Sequence, residues 1–350
     1  QAWQHKALKP SQHRGDLLLD PTPSEIIWVA SYGPGWSNGG ERGVYKSTDG
    51  GDSWTCVKEV SEYTGCNELV MDPRNPYVLY AAFHQRQRKV FTYIGGGPES
   101  GLFKTTDGGE TWKPLKGGLP GGDVGRIGLD ISPVNPNTLY AVVEAGDRKG
   151  GIYRTDDAGA SWSKQSGRYT SGNYYKELIC DPGDIDRIYI TNTYFQIGDD
   201  GGKTTRNLGE LTKHIDNHAL WIDPDNANHL LAGCDGGVYE TWDLAGTWHF
   251  KPNLPVNQFY KVATDNATPF YNIHCGTQDN LSLGGPSRTT SMNGIVNSDW
   301  FVTSTGDGFE TQVDPTNPNI IYAQAQYGAL SRYDRGNGEY YYIKPMEGED

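Results

Sequence analysis

A short turn-like motif returns along the whole chain and constrains the fold more than any other feature. An apolar run over residues 17–19 ends in Asp20-Pro21, and the same pattern returns with Asp72-Pro73. Further copies centre on Pro133, Pro182, Pro224 and Pro315, with a copy that lacks proline at Asp265-Asn266. Successive copies are 42 to 60 residues apart. Repeats of this period indicate an array of similar supersecondary units.

A second motif follows the first in most repeats. In the first repeat it reads Asp49-Gly50-Gly51-Asp52-Ser53-Trp54. Glycine adopts the positive φ of such a turn, and the aspartate side chain accepts hydrogen bonds from turn amides. The motif therefore predicts a structural turn followed by a packed tryptophan. We assign this structural role to Asp49, Trp54, Asp107, Trp112, Asp157, Trp162, Asp200, Asp243 and Trp248.

Each repeat contains four short β-type runs and no helical periodicity. In the first repeat they cover residues 17–20, 26–31, 43–47 and 53–58. Four antiparallel strands in every repeat are typical of a β-propeller blade. The sequence thus predicts an all-β fold, a β-propeller of about seven four-stranded blades. Within each blade, Asp-Pro and Asp-Gly-Gly turns join the strands.

The first residues suggest how the chain is organised. Gln1-Ala2-Trp3 matches the last three positions of the second motif, as in Asp52-Ser53-Trp54. We therefore expect residues 1–13 to be the tail of a preceding blade or a closing strand. Residues 14–350 are expected to form the propeller, as a fragment of a longer chain.

Charge and hydropathy exclude two classes of partner. The chain has 30 basic and 43 acidic residues, a net charge of −13, which repels a phosphate backbone and argues against nucleic acid. Its one basic cluster, Arg86, Arg88 and Lys89, is interpreted as a solvated loop. No apolar run approaches the 18 or so residues that span a membrane.

Cysteine spacing gives a weaker indication. The five cysteines fit no metal-ligand pattern. Cys56 and Cys66 are close enough along the chain to form a disulfide, which would suit an oxidising compartment. Cys180 lies within an apolar run and is expected to be a buried thiol. We predict no metal and no cofactor.

The second motif resembles the Asp-box (BNR) repeat of sialidases, sortilin-type Vps10 domains, xyloglucan-cleaving glycoside hydrolases and a photosystem II assembly factor. Over nearly its whole length the chain is similar to large secreted bacterial proteins described as glycosyl-hydrolase-like or sortilin-like. The residues that carry this likeness, besides the Asp-boxes, are 97–101, 122–128, 214–224 and 278–280. The resemblance implies a propeller in an extracytoplasmic setting (secreted, periplasmic or cell-surface).

Propeller topology indicates where function is expected. In an up-and-down blade, the Asp-Pro turn and the Asp-box lie at the same end of the strands, and both are short and regular. Blade-to-blade connections and the loops after each second strand lie at the opposite end, called here the loop-rich end. The latter loops vary greatly, as at residues 32–42, 84–100 and 279–297. Long loops on a rigid scaffold commonly carry binding sites.

Polar residues at the start of a first strand or the end of a second strand are expected near the propeller axis at this end. Three adjacent blades supply the predicted ligand-binding residues: His214, Asp216, His218, Asp235, Gln278, Asp279, Asn280 and Asp307. In a hydrolase, Asp235, Asp279 and Asp307 would be the acid/base candidates, because glycoside hydrolysis requires two carboxyl groups. A structural polar network, and turn roles for acids beside glycine, are the alternatives.

Two further patterns are weaker. His214-x-Asp216-x-His218 resembles a metal-binding pattern if the three residues alternate along a strand, but the spacing fixes no third ligand. The aromatic residues Trp36, Tyr169, Tyr174 and Tyr175 are candidates for stacking on sugar rings, with core packing as the alternative.

Several functions are compatible with these features. A sialidase is disfavoured, because its Arg-Ile-Pro element is absent and the nearest string is Arg126-Ile127-Gly128. The preferred hypothesis is a non-catalytic propeller that binds a polysaccharide or protein ligand through its loop-rich end. A xyloglucanase-like glycoside hydrolase is the alternative, although such enzymes place two aspartates between two propellers. A third reading is a structural subunit, joined to a further propeller domain or a larger extracellular assembly.

Overall fold

The structure is a computed structural model that describes residues 6, 8, 13–22, 24–168, 170, 172–175, 177–254 and 256–345. These residues form two compact units, one ending at Phe250 and one beginning at Lys251. Within the described ranges the secondary structure consists of β-strands and two short 3-10 turns, with no α-helix. No helical segment of this part of the chain has the length and apolar character needed to cross a membrane.

The first unit contains five four-stranded antiparallel sheets, numbered blades 1 to 5. Blade 1 consists of β1 (Arg14–Leu19), β2 (Ile27–Ser31), β3 (Gly43–Ser47) and β4 (Thr55–Lys58). Blade 2 consists of β5 (Thr64–Asp72), β6 (Asn75–Gln85), β9 (Gly101–Thr105) and β10 (Lys113–Leu115), and the hairpin β7 (Gln87–Lys89) and β8 (Thr92–Ile94) extends from it. Blade 3 consists of β11 (Val124–Ile131), β12 (Leu139–Ala145), β13 (Gly151–Thr155) and β14 (Ser163–Ser166). Blades 4 and 5 follow, with β15 (Leu178–Cys180), β16 (Ile188–Ile190), β17 (Gln196–Gly198), β18 (Arg206–Asn207), β19 (Asn217–Asp223), β20 (Asn226–Cys234), β21 (Gly237–Thr241) and β22 (His249–Phe250).

The second unit contains two further four-stranded antiparallel sheets, blades 6 and 7. Blade 6 consists of β23 (Phe259–Thr264), β24 (Asn272–Thr277), β25 (Ser282–Pro286) and β26 (Phe301–Ser304), with a 3-10 turn at Asn297–Asp299. Blade 7 consists of β27 (Thr311–Val313), β28 (Ile320–Ala325), β29 (Ala329–Asp334) and β30 (Glu339–Tyr342), with a 3-10 turn at Gln326–Gly328. The all-β prediction and the four-stranded repeat are confirmed.

The Asp-Gly-Gly turns share one hydrogen-bond pattern. In the turn after β9, the Asp107 carboxylate accepts bonds from the Thr111 amide at 2.9 Å and the Thr111 hydroxyl at 2.6 Å. The Thr105 hydroxyl donates to Asp107 at 2.7 Å and accepts from the Gly109 amide at 3.0 Å. The same contacts recur around Asp49, Asp157 and Asp243. These carboxylates thus hold their own turns.

This pattern predicts a dependence of stability on acid. Hydrogen bonds from Thr111 and Thr105 hold the pKa of Asp107 at about 2. A carboxylate with a lowered folded pKa stabilises the fold above its ordinary pKa, and the contribution is lost as pH falls through the folded value. The stability difference between the parent chain and Asp107→Asn is therefore expected to shrink from pH 4 to pH 2. Urea unfolding at several pH values measures it, with Asp225→Asn, the same chemical change at an exposed turn, as the control variant.

Aromatic residues on the second strands join successive blades. The ring of Trp28 on β2 packs against Gly109 in the Asp-Gly-Gly turn of blade 2, where a Cβ atom would lie 2.9 Å from the ring. Lys46 on β3 lies 4.6 Å from the centre of this ring and donates to the Gly108 carbonyl at 2.9 Å. In blade 2, Tyr80 and Lys104 both donate to the Ala158 carbonyl of blade 3. The aromatic ring on the second strand of one blade is therefore covered by the turn that follows the third strand of the next blade.

Two predictions about local structure are wrong. The loop after the second strand of blade 6 is not the long segment 279–297, because β25 begins at Ser282 and Thr277 closes a tight turn by bonding to the Leu281 carbonyl. The long segment lies instead between β25 and β26.

Cys56 and Cys66 do not form a disulfide, and all five cysteines are free thiols. Cys56 lies on the outermost strand of blade 1 and Cys66 on the innermost strand of blade 2, which separates them across a blade. Cys180 is buried, as predicted.

Candidate ligand-binding site

A buried polar triad fixes the chain where it enters blade 5. The Lys213 ammonium lies 2.7 Å from a Glu210 carboxylate oxygen, and both side chains are almost fully buried. Lys213 also donates to the Asn217 side-chain oxygen at 2.5 Å, and the Asn217 amide donates to Glu210 at 2.7 Å. Because all three groups satisfy one another, their burial is tolerated and the segment between them is held in place. The sequence argument missed this triad.

Asp216 occupies a turn that the triad supports. Its φ of +62° is left-handed, and its amide donates to the Thr193 carbonyl at 2.8 Å. The Asp235 amide, at the end of β20, donates to the Asp216 carbonyl at 3.1 Å. The Tyr175 hydroxyl donates to the Asp216 carboxylate. Burial and then this bond raise the pKa of Tyr175 to about 12, so the phenol is protonated and acts as a donor at neutral pH.

His218 completes a cluster that is open to solvent. Its Nε2 atom lies 2.8 Å from an Asp235 carboxylate oxygen, with 42% of the histidine and 26% of the aspartate side chain exposed. The His218 imidazole stacks on the Tyr175 ring, with 5.6 Å between centroids and 22° between planes. We call Tyr175, Asp216, His218 and Asp235 the blade-5 cluster. It places solvent-accessible hydrogen-bonding groups beside an aromatic ring at the loop-rich end.

His214 packs against the turn that follows Asp235. Its Nδ1 atom lies 2.8 Å from the Ile215 carbonyl, and the side chain packs on Gly236, where a Cβ would lie 2.4 Å from that of His214. The expectation that residues 214, 216 and 218 alternate along a strand is wrong, because β19 begins at Asn217 and Asp216 is left-handed. Among the described side chains, no group of three or more metal-ligating residues is arranged to hold an ion.

The remaining predicted residues lie in the second unit. The Asp307 carboxylate accepts the Asp279 amide at 2.7 Å, and its own amide donates to the Gln326 side chain at 3.0 Å. Asp279 has a φ of +59°, and the Asn280 side chain donates to the Gln278 carbonyl at 2.9 Å. Gln278, Asp279, Asn280 and Asp307 are all half-buried. The structure thus brings Asp279 and Asp307 together, with Asp307 holding the turn that presents Asp279.

Inner-strand residues of blades 1 to 4 were missed. The Arg126 guanidinium on β11 lies 3.4 Å from a Glu68 carboxylate oxygen on β5 and 3.4 Å from the Tyr175 carbonyl. Burial raises the pKa of Glu68 well above its ordinary value and that of Glu177 to about 7. It also raises the pKa of Asp16, whose carboxylate accepts the Leu69 amide at 2.7 Å. The signal was available, since each residue lies on the first strand of its blade or, for Glu177, directly before it.

The aromatic candidates divide by exposure. Trp36 is 58% exposed and Tyr174 is also exposed, whereas Tyr175 is half-buried in the blade-5 cluster. Tyr169 lies outside the described residues. Trp36 and Tyr174 therefore have exposed rings that a ligand could reach, whereas the Tyr175 ring stacks on His218.

Comparisons with known proteins support the fold. No protein-family model matches the sequence, and no curated protein matches it. Among solved structures, a GH74 enzyme of Niastella koreensis aligns with a TM-score of 0.61 and 16% identity, over 95% of this chain and 50% of that one. The GH74 xyloglucanase from Xanthomonas campestris gives a TM-score of 0.56 and 15% identity, over 95% and 59%. An ancestral GH74 enzyme gives 0.50 and 15%, over 96% and 47%.

These identities establish the fold alone. The β-propeller prediction is confirmed, and the chain spans about half the length of the GH74 enzymes that it resembles.

Proposed function

We propose that this chain is an extracytoplasmic β-propeller that binds polysaccharide through its loop-rich end, without catalysing a reaction by itself. The observation that carries the proposal is the blade-5 cluster. Tyr175, Asp216, His218 and Asp235 are hydrogen-bonded to one another, yet His218 and Asp235 keep much of their side chains in solvent. A rigid polar surface beside an aromatic ring suits a sugar, which needs many hydrogen bonds and one apolar face.

Two further features support this proposal. The fold is shared with GH74 enzymes, one of which is named a xyloglucanase, so a propeller of this kind is compatible with polysaccharide. We also assign the Asp-Gly-Gly turns to the Asp-box repeat, whose resemblance to secreted proteins is the basis for the extracytoplasmic setting. Protein recognition by the same surface is the competing outcome of the test.

Affinity electrophoresis against a panel of neutral and acidic polysaccharides tests the proposal. We expect His218→Ala and Asp235→Asn each to weaken binding by about tenfold, because each removes a hydrogen-bonding group and exposes its partner. His249→Ala and Asp225→Asn change the same residue types at exposed positions away from the cluster and should leave binding unchanged. Retardation that is the same in the parent chain and in the cluster variants, or no retardation by any polysaccharide, would contradict the proposal.

A glycoside hydrolase is the second candidate function. The specific observation in its favour is that the Asp307 carboxylate accepts a hydrogen bond from the main-chain amide of Asp279, which places two of the three predicted acid/base residues side by side in a fold shared with glycoside hydrolases. Release of reducing ends from the same polysaccharides measures this activity. Hydrolysis that disappears in Asp279→Asn would replace the binding proposal with an enzymatic one.

A further inference from the structure

The hairpin β7–β8 of blade 2 has residue types in its turn that are unusual for a two-residue turn. Its two turn residues, Val90 and Phe91, are 95% and 89% exposed. Two-residue hairpin turns favour glycine, asparagine and aspartate, and a β-branched or aromatic residue there gains nothing from burial. Folding therefore does not explain these residues, and departures of this kind are expected at functional sites.

The base of the hairpin stacks two arginines on aromatic rings. The Arg86 guanidinium lies 5.7 Å from the centre of the Tyr32 ring and 5.5 Å from that of Tyr93. The Arg88 guanidinium lies 4.8 Å from the centre of the exposed Trp36 ring. Arg88 and Tyr93 are paired across the two strands and so share one face. We call Tyr32, Trp36, Arg86, Arg88 and Tyr93 the aromatic–arginine ladder.

The buried His84 holds Tyr32 of the ladder in place. Tyr32 is hydrogen-bonded to the Nδ1 atom of the buried His84, and their rings stack with 5.8 Å between centroids. Stacking on rings on both sides restricts the Arg86 side chain before any ligand arrives. Such preorganisation lowers the entropy that a ligand must overcome.

Among the residues that the structure describes, the cations of the hairpin have no acidic partner. In the part of the chain that the structure describes, no carboxylate forms an ion pair with Arg86, Arg88 or Lys89. This is notable in a protein of net charge −13, which offers 43 acidic side chains. The sequence interpretation of this cluster as a merely solvated loop does not account for its stacked arrangement.

We infer that the aromatic–arginine ladder binds the carboxylate or sulfate group of an acidic polysaccharide. A guanidinium accommodates either oxyanion with two parallel hydrogen bonds, and Trp36 and Phe91 offer exposed aromatic faces to the sugar rings. The inference rests on the proposed function and narrows it to an acidic ligand class. The ladder lies on loops after second strands, the same end of the blades as the blade-5 cluster.

Affinity electrophoresis with four defined polymers tests the inference. Polygalacturonate supplies carboxylates, dextran sulfate supplies sulfate esters, and xyloglucan and dextran are neutral. We expect retardation by at least one acidic polymer, weakened by added salt because the contact is ionic. Arg86→Gln with Arg88→Gln should weaken this binding tenfold or more, and Trp36→Ala should also weaken it. Arg148→Gln with Arg288→Gln removes two exposed charges elsewhere and should have no such effect.

The outcomes separate this inference from the proposed function. Binding of neutral polymers alone, lost in His218→Ala, would overturn the acidic ligand and leave the proposed function standing. Acidic binding that persists in the double arginine variant would also overturn the ladder as the site. No retardation by any polymer would overturn both proposals. Co-sedimentation with phosphatidylglycerol vesicles that depends on Val90 and Phe91, without polysaccharide binding, would assign the hairpin to a lipid surface instead.

Discussion

Replacing Trp28 with alanine is expected to lower the free energy of unfolding by about 3 to 5 kcal/mol, the usual cost of removing a large buried aromatic. Trp28 is 1% exposed, and its ring fills the space beside Gly109 of the next blade. Glycine has no side chain that could move into the cavity, so the loss of packing is not recovered. Lys46 would also lose the ring on which it is stacked. Urea unfolding followed by circular dichroism measures the change.

Two variants make this expectation specific. Trp36→Ala removes the same side chain from an exposed loop, and its effect on stability should stay within about 0.5 kcal/mol. Trp28→Tyr introduces the residue that blades 2 and 3 use at the equivalent position, Tyr80 and Tyr140, and should cost less than alanine. Equal losses for Trp28→Ala and Trp36→Ala would show that packing between blades does not stabilise the first unit.

Turn chemistry explains why so much of the fold was predictable. The Asp-Pro and Asp-Gly-Gly turns specify where strands end, since their aspartates bond to the turn amides that follow, as Asp72 does to Arg74. The predicted runs 43–47 and 26–31 therefore lie within one residue of β3 and β2. Turn preferences of this kind depend on a few adjacent residues, so they can be applied to the sequence without knowledge of tertiary contacts.

Contacts between distant residues explain what could not be predicted. The turn of blade 6 closes through Thr277, and no proline or double glycine announces it. The triad of Glu210, Lys213 and Asn217 is recognisable only once burial is known, because a lysine in a loop is ordinarily exposed. The blade-5 cluster joins Tyr175 to Asp216 across 41 residues. Sequence reasoning identified His218 and Asp235 but had no means of pairing them.

The stability of the protein is expected to depend on pH through Glu177. Burial raises the pKa of this carboxyl group to about 7, against the attraction of Arg126 and with a smaller contribution from Asp16. A carboxyl group whose pKa is raised by folding keeps its proton in the folded state at pH values where the unfolded chain has already released it. The free energy of unfolding therefore falls as pH rises from 4.5 to 7. The shift from 4.5 to about 7 corresponds to roughly 3 kcal/mol at about 1.4 kcal/mol per pH unit.

Glu177→Gln isolates this contribution, because glutamine resembles the protonated acid and does not titrate. The difference in unfolding free energy between Glu177→Gln and the parent chain should favour the variant by roughly 3 kcal/mol more at pH 8 than at pH 4. Glu110→Gln makes the same chemical change on an exposed turn and is the control variant for the loss of one carboxylate. A flat difference for Glu177→Gln would mean that Glu177 is ionised in the fold at neutral pH. The attraction of the Arg126 guanidinium would then outweigh the effect of burial on this carboxyl group.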